Sequence, residues 1–141
     1  MIMKVVLNDL YKQFLFLGLH KLPESARVIS IAGKAPYWYS GAQYKVLTPK
    51  YWFFKKYKED GDSDYYTLMY NAEVLGGLYQ IQVIEDLCNL VGYGRYYSDI
   101  YRDKNRHIVL LCYEKPKDFC HRHLVAEWLN KAGFECKEYE K

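Results

Sequence analysis

The residues with the most chemistry per unit length run from Cys112 to His123: Cys112-Tyr113-Glu114-Lys115-Pro116-Lys117-Asp118-Phe119-Cys120-His121-Arg122-His123. Thiol, carboxylate, imidazole and guanidinium fall within one short segment. The apolar run His107 to Tyr113 reads as a buried strand. A helix follows from about Cys120 to Lys131, with Leu124, Val125, Trp128 and Leu129 on one face and Gly133 as its stop. The cluster therefore spans a strand end, a loop and a helix start, which is where parallel α/β sheets hold their ligands. Backbone N–H groups at such a helix start attract anions, and Arg122 adds a bidentate fork for carboxylate or phosphate. Cys120, placed in the first turn beside His121 and Arg122, is set for easier deprotonation than a free thiol. Glu114 faces the same crevice if the strand ends at Tyr113.

Three chemical readings follow. Cys120 is a nucleophile activated by His121 or by the helix end; or it ligates a metal with Cys112, His121 or His123; or it shapes a pocket in which Glu114 is the acid or base. The metal reading is the weakest, because adjacent Cys120 and His121 would point in different directions on a helix and no Cys-x-x-Cys pair is present. The nine residues between Cys112 and Arg122 are also too many for the phosphate loop of a cysteine phosphatase. The competing structural reading is a capped helix with Cys120 tucked against the sheet. The catalytic candidates are Glu114, Cys120 and His121; no metal and no cofactor are assigned.

A second candidate is the turn after the buried run Arg27 to Ala32: Ser30, Lys34, Pro36, Tyr37 and Trp38. If the two buried strands are neighbours, this turn and the Cys-His-Arg segment open on one crevice. Ser30, Lys34, Tyr37, Trp38, Cys112 and Arg122 are then the substrate-binding candidates. Further along, residues 37 to 70 hold 12 of the chain's 25 aromatics, interleaved with Lys45, Lys50, Lys55, Lys56 and Lys58. Aromatics among lysines suit base stacking beside phosphates. Trp52, Phe53 and Tyr57 also fall at spacings a core-facing helix uses, so core packing is favoured from Tyr51 onward. Tyr37, Trp38 and Tyr39 are left as the pocket surface.

The remaining elements must position these groups. Thr48 before Pro49 reads as an N-cap, starting a helix that runs to about Lys58 and breaks at Gly61. Asp62 or Ser63 caps the next, through about Leu75, with Tyr66, Met69, Tyr70 and the Glu73–Val74 pair near its buried side. A third, about Leu78 to Leu90, spaces Ile81, Ile84, Leu87 and Cys88 helically and ends at Gly92. Residues 92 to 105 read as a loop or weak helix, and Phe134 to Tyr139 as a returning strand. The first strand is either Met3 to Asn8 or Gln13 to Gly18. This pattern specifies a single α/β domain over residues 1–141, with a mainly parallel sheet covered by helices in a Rossmann-like or flavodoxin-like three-layer arrangement.

Composition bounds the function. At 141 residues, 50% hydrophobic and 26% charged, the chain can bury a core without staples. Twenty Lys plus Arg against 17 Asp plus Glu give a net charge of +3, too even for an indiscriminate polyanion binder. Phe14 to Leu19 is far short of the roughly 20 apolar residues of a membrane span, and no signal peptide is evident, so a cytoplasmic protein with no membrane partner is expected. The four cysteines, Cys88, Cys112, Cys120 and Cys136, are read as thiols. No residue pattern specifies an oligomer.

Leu110-Leu111-Cys112-Tyr113-Glu114-Lys115-Pro116, followed by Cys120-His121-Arg122-His123-Leu124-Val125-Ala126-Glu127-Trp128-Leu129, resembles the signature of the domain-of-unknown-function 488 family. Residues 29–36, with Leu47-Thr48-Pro49 and Tyr66 to Leu75, are similar to its shorter members from bacteria and their phages. The resemblance covers about Leu17 to Tyr139 and leaves residues 1–12 outside as an extension. It implies a compact α/β domain with a polar crevice at Glu114, Cys120, His121 and Arg122. Many relatives carry Asp-Val-Arg at the end of the early strand, where this chain has Ser30-Ile31-Ala32 with Lys34 nearby. The expected function is an enzyme acting on an anionic, nucleotide-like or nucleic-acid substrate. The competing expectation is a non-catalytic module that recognises a nucleotide, nucleic acid or protein partner.

Overall fold

The computed structural model describes residues 4–8, 26–35, 37, 39–93, 107–112 and 119–138. Its frame is one five-stranded sheet: β1 (Lys4–Asn8), β2 (Ala26–Ser30), β3 (Ala42–Gln43), β4 (His107–Leu111) and β5 (Cys136–Glu138), ordered β3-β2-β4-β1-β5. Every neighbouring pair is parallel. Of the two candidates for the first strand, residues 4–8 form one, between β4 and β5; Gln13 to Gly18 lies outside the described residues. β1 thus belongs to the sheet although it falls before the region of resemblance.

β2 and β4 pair from Ala26 opposite His107 to Ser30 opposite Leu111. Their register makes them end level, and the Ile31 N–H continues the ladder to the Leu111 carbonyl at 3.1 Å. Side chains alternate between faces along a strand. Ile29, Ile31, Ile108 and Leu110 enter the main core, while Ser30, Val109 and Leu111 face the other way and are buried too. Burial on both faces is why these runs are apolar without a polar alternation.

Among the described residues four α-helices pack with the sheet. α1 (Tyr51–Asp60) starts later than Thr48-Pro49 predicts. Proline disfavours a helical conformation in the residue before it. Thr48, before Pro49, accordingly has ψ 136°; Lys50 is extended as well, at ψ 139°, and is the N-cap, without a side-chain cap. At the far end Gly61 adopts φ 69°, and its N–H reaches the Tyr57 carbonyl at 2.7 Å. Asp62 then caps α2 (Ser63–Tyr70), accepting from the Tyr65 N–H at 3.1 Å.

α2 widens into a π-helical turn, Asn71–Leu75, that buries Val74 and Leu75 but leaves Glu73 exposed. α3 (Gln80–Leu90) buries Val83, Ile84, Leu87 and Cys88. Ile81, expected on that face, is exposed: it sits in the helix's first turn, ahead of the buried stripe. α4 (His121–Lys131) buries Val125 and Leu129, with Leu124 and Trp128 packed against the core. Gly133, at φ 89°, turns the chain toward β5. The Asn130 amide then pairs with both backbone groups of Cys136, at 2.9 and 2.8 Å. Among the described residues no helix is long and apolar enough to cross a membrane.

Candidate functional site

Because β2 and β4 are parallel neighbours, the chain leaves both strands at the same edge, and the two candidate segments open on one cavity. Its volume is about 510 Å³, within the size range of small-molecule sites. Ala32, Gly33 and Lys34 form one side; Lys45 secures that turn by donating to the Gly33 carbonyl at 2.8 Å. Cys112, just past β4, and Cys120 and His121, at the start of α4, form the floor.

The floor differs from the sequence expectation in an instructive way. Cys120 is not in the first helical turn. It is the N-cap, with extended φ −154° and ψ 144°. An extended residue followed by a helical one lets neighbouring side chains converge, so Cys120 Sγ lies 3.7 Å from His121 Nδ1, and Cys112 Sγ lies 3.8 Å from the same atom. The argument that adjacent residues on a helix must diverge therefore fails here. Cys112 and Cys120, read from sequence as separate thiols, bring their sulfurs into contact as a disulfide pair with Cα atoms 7.6 Å apart, whereas Cys88 and Cys136 are buried and outside that disulfide.

His121 is buried, and its Nε2 donates to the Ile31 carbonyl at 2.8 Å. Burial pushes the imidazole down to about 4, against the lift from the Ile31 bond and with help from the charges of Arg122 and His123. The ring is neutral at ordinary pH. With Nε2 protonated, Nδ1 carries a lone pair directed at the two sulfurs.

Aromatic rings make the walls. Tyr51, Phe54 and Tyr57 from α1, Tyr66 from α2 and Phe119 line the cavity. Phe119 meets Tyr57 at 5.1 Å and Tyr66 at 5.0 Å between centroids; Tyr66 stacks on Tyr70, which in turn lies 5.6 Å from the His121 ring. Lys34 and Lys58 are the charged residues among the described lining, Lys58 lying 5.2 Å over the Phe54 ring, and no carboxylate joins them. Thr48 and Pro49 complete the wall.

Several sequence candidates fall elsewhere. Arg122, expected to hold an anion in the crevice, is the largest fully buried side chain and does not line the cavity. As the residue after His121 on a helix, it projects away from the floor that His121 faces. Ser30 is turned to the opposite face from Ile29 and Ile31, where its Oγ accepts from the Ala32 N–H at 3.3 Å. Tyr37 is fully exposed and outside the lining. Tyr39 instead ties down its own turn, donating to the Ala42 carbonyl at 2.7 Å. Glu114 and Trp38 lie outside the described residues. Lys34, Cys112, Cys120 and His121 are brought together.

What sequence reasoning missed is the wall of α1. Phe53 is the core residue of that helix, while Tyr51, Phe54 and Tyr57 recur every third position along a neighbouring stripe. That second periodicity, with Lys58 beside it, was the available signal.

Comparison with curated proteins and with solved structures finds no match in either. Comparison with family models does: residues 23–133, which include β2 through α4, match the one described as the active DUF488-N3 subclade. The expectation drawn from the Cys112–Glu114 and Cys120–Arg122 segments is met, and the chain belongs to the domain-of-unknown-function 488 family, in the DUF488-N3 subclade.

Proposed function

We propose that this protein is an enzyme acting on a small anionic substrate that carries a planar ring, of the nucleotide type. The observation that carries the reading is the cavity: aromatic walls, a rim of Lys34 and Lys58 without a carboxylate among the described lining, and a floor of sulfur and imidazole. A ring stacks on Tyr57, Phe54 or Phe119, and an anionic group reaches the lysines. A volume of about 510 Å³ suits one nucleotide, or one base drawn out of a strand, rather than a duplex. Lys34 and Lys58 take the role that the sequence suggested for Arg122. Glu114, two residues along the chain from Cys112, is the acid or base in this reading, and the family's description as an active subclade agrees with catalysis rather than recognition alone.

The test is binding, then turnover. Nucleoside monophosphates should raise the melting temperature, and their nucleosides should do so much less; ligand at a hundredfold excess over Kd adds about 2.7 kcal/mol. Lys34→Ala and Lys58→Ala should each weaken binding about three- to fivefold, as expected of solvent-screened charges. Equal shifts from nucleotide and nucleoside, or none, refute the reading. Glu114→Gln should then stop turnover while binding persists. A nucleotide bound and never consumed would assign the chain to non-catalytic recognition.

A further inference from the structure

Cys112, Cys120 and His121 are a set of three donors whose ligand atoms all lie within 4.8 Å of one another. We infer that Cys112 Sγ, Cys120 Sγ and His121 Nδ1 bind one zinc-class divalent cation, with the fourth coordination position open to the cavity. The inference concerns the floor of that cavity and does not rest on the nucleotide reading.

Four observations support it. A tetrahedral centre with sulfur at about 2.3 Å and nitrogen at about 2.05 Å has sulfur–nitrogen edges of about 3.6 Å. The two found are 3.8 and 3.7 Å. The Cα atoms of Cys112 and Cys120 stand 7.6 Å apart, beyond the roughly 4.4–6.8 Å of bridged cysteines. In this structure the two sulfurs are bonded to each other, so the site forms once a cellular thiol reductant, itself oxidised to its disulfide, delivers two electrons and opens that bond to two thiols on backbones held by β4 and by the start of α4. Third, His121 Nε2 donates to the Ile31 carbonyl. This is the outer-shell bond that fixes a ligating histidine and aims its other nitrogen at the metal.

Charge is the fourth. Binding releases one proton from each thiol, so a dication, two thiolates and a neutral imidazole sum to zero, which a buried floor tolerates. All three residues line the cavity. A site with three protein ligands and an open fourth position is the arrangement of a catalytic rather than a structural zinc.

The test uses the full chain, expressed with zinc and purified without chelator. Elemental analysis should find about one zinc per chain, and cobalt exchange should give thiolate-to-cobalt charge-transfer absorption with tetrahedral ligand-field bands. Cys112→Ser, Cys120→Ser and His121→Gln should each fall below about a tenth of the wild-type zinc content. Cys88→Ser and Cys136→Ser should leave zinc content unchanged. Should the ligand variants not fold, the wild type decides: chelation should expose two thiols to alkylation, and restored zinc should protect them.

A folded, reduced chain that holds less than about a tenth of an equivalent of zinc and gives no cobalt charge-transfer band overturns the inference. So does a chain that, once reduced and supplied with zinc, re-forms the Cys112–Cys120 bond in air rather than keeping the metal. Nucleotide binding is measured separately, so a metal-free chain that still binds nucleotide refutes the metal alone, and a zinc-loaded chain indifferent to nucleotides refutes the substrate alone.

Discussion

Tyr70 joins the wall of the cavity to its floor, and removing its hydroxyl tests that connection. The side chain is fully buried, its ring stacks on Tyr66 and faces His121, and its hydroxyl donates to the Leu47 carbonyl at 2.7 Å. Burial holds the phenol well above its ordinary value, so the donor is present wherever the chain is folded. Leu47 ends the 3-10 turn Lys45–Leu47, immediately before Thr48 and Pro49 of the cavity wall. Tyr70→Phe keeps the ring and strands a carbonyl that has no access to water. The cost should be about 1.5 kcal/mol, more than the mean hydrogen bond because the acceptor stays buried and unsatisfied. In a chain of this length that lowers the melting temperature by about 6 °C. Urea unfolding should move the midpoint without changing the slope. Tyr51→Phe, on an exposed cavity residue, is the control and should stay within about 0.5 kcal/mol of wild type. A Tyr70→Phe variant as stable as that control would refute the claim that this bond anchors the wall.

Other perturbations separate packing from chemistry. Phe53 is fully buried with its ring 5.1 Å from that of Tyr66, so Phe53→Ala should cost about 3–5 kcal/mol in urea unfolding. Asn130→Ala removes both bonds to Cys136 and should cost about 1–3 kcal/mol. Asn130→Asp keeps the acceptor for the Cys136 N–H but sets a carboxylate oxygen against the Cys136 carbonyl, so it should also destabilise, and less so in acid once the carboxyl is protonated. A Cβ on Gly76 would collide with the Ala72 carbonyl oxygen at the end of the π-helical turn, so Gly76→Ala should cost about 1–3 kcal/mol, whereas Gly77→Ala, which meets nothing, should not.

Sequence logic reached the frame because strands buried on both faces have few alternatives. Arg27 to Ala32 and His107 to Tyr113 could satisfy their apolar residues only inside a helix-covered sheet, and their parallel pairing put Lys34 and the Cys-His segment on one cavity. It failed where one residue's backbone decides direction. Cys120 looks helical in the sequence because the amphipathic pattern begins beside it, yet as N-cap it is extended, and that single change turns its sulfur toward His121. Arg122 was misplaced by the same offset. A guanidinium reads as surface or site by composition, and its full burial depends on tertiary contacts that no spacing encodes. Among the aromatic residues, Phe53, Tyr66 and Tyr70 are core as their helical spacing indicated, but the cavity surface expected of Tyr37 is supplied by α1 instead. Tyr37 follows a strand, which suggested a site, whereas α1 is broad enough to give Phe53 to the core and Tyr51, Phe54 and Tyr57 to the cavity.

The two proposals meet at the charge of the cavity, and that makes them separable. A dication held by two thiolates and a neutral imidazole adds no net charge, so the attraction for an anion remains with Lys34 and Lys58 whether or not the floor is loaded. Salt should therefore weaken nucleotide binding to the same degree in the zinc-loaded and the metal-free chain, because screening acts on exposed lysines. Loading can change affinity only by offering a coordination position, which depends on the ligand's donor atom rather than on its charge. A salt dependence that steepens when zinc is bound would mean that the floor carries net positive charge, and the assignment of two thiolate ligands would then be wrong.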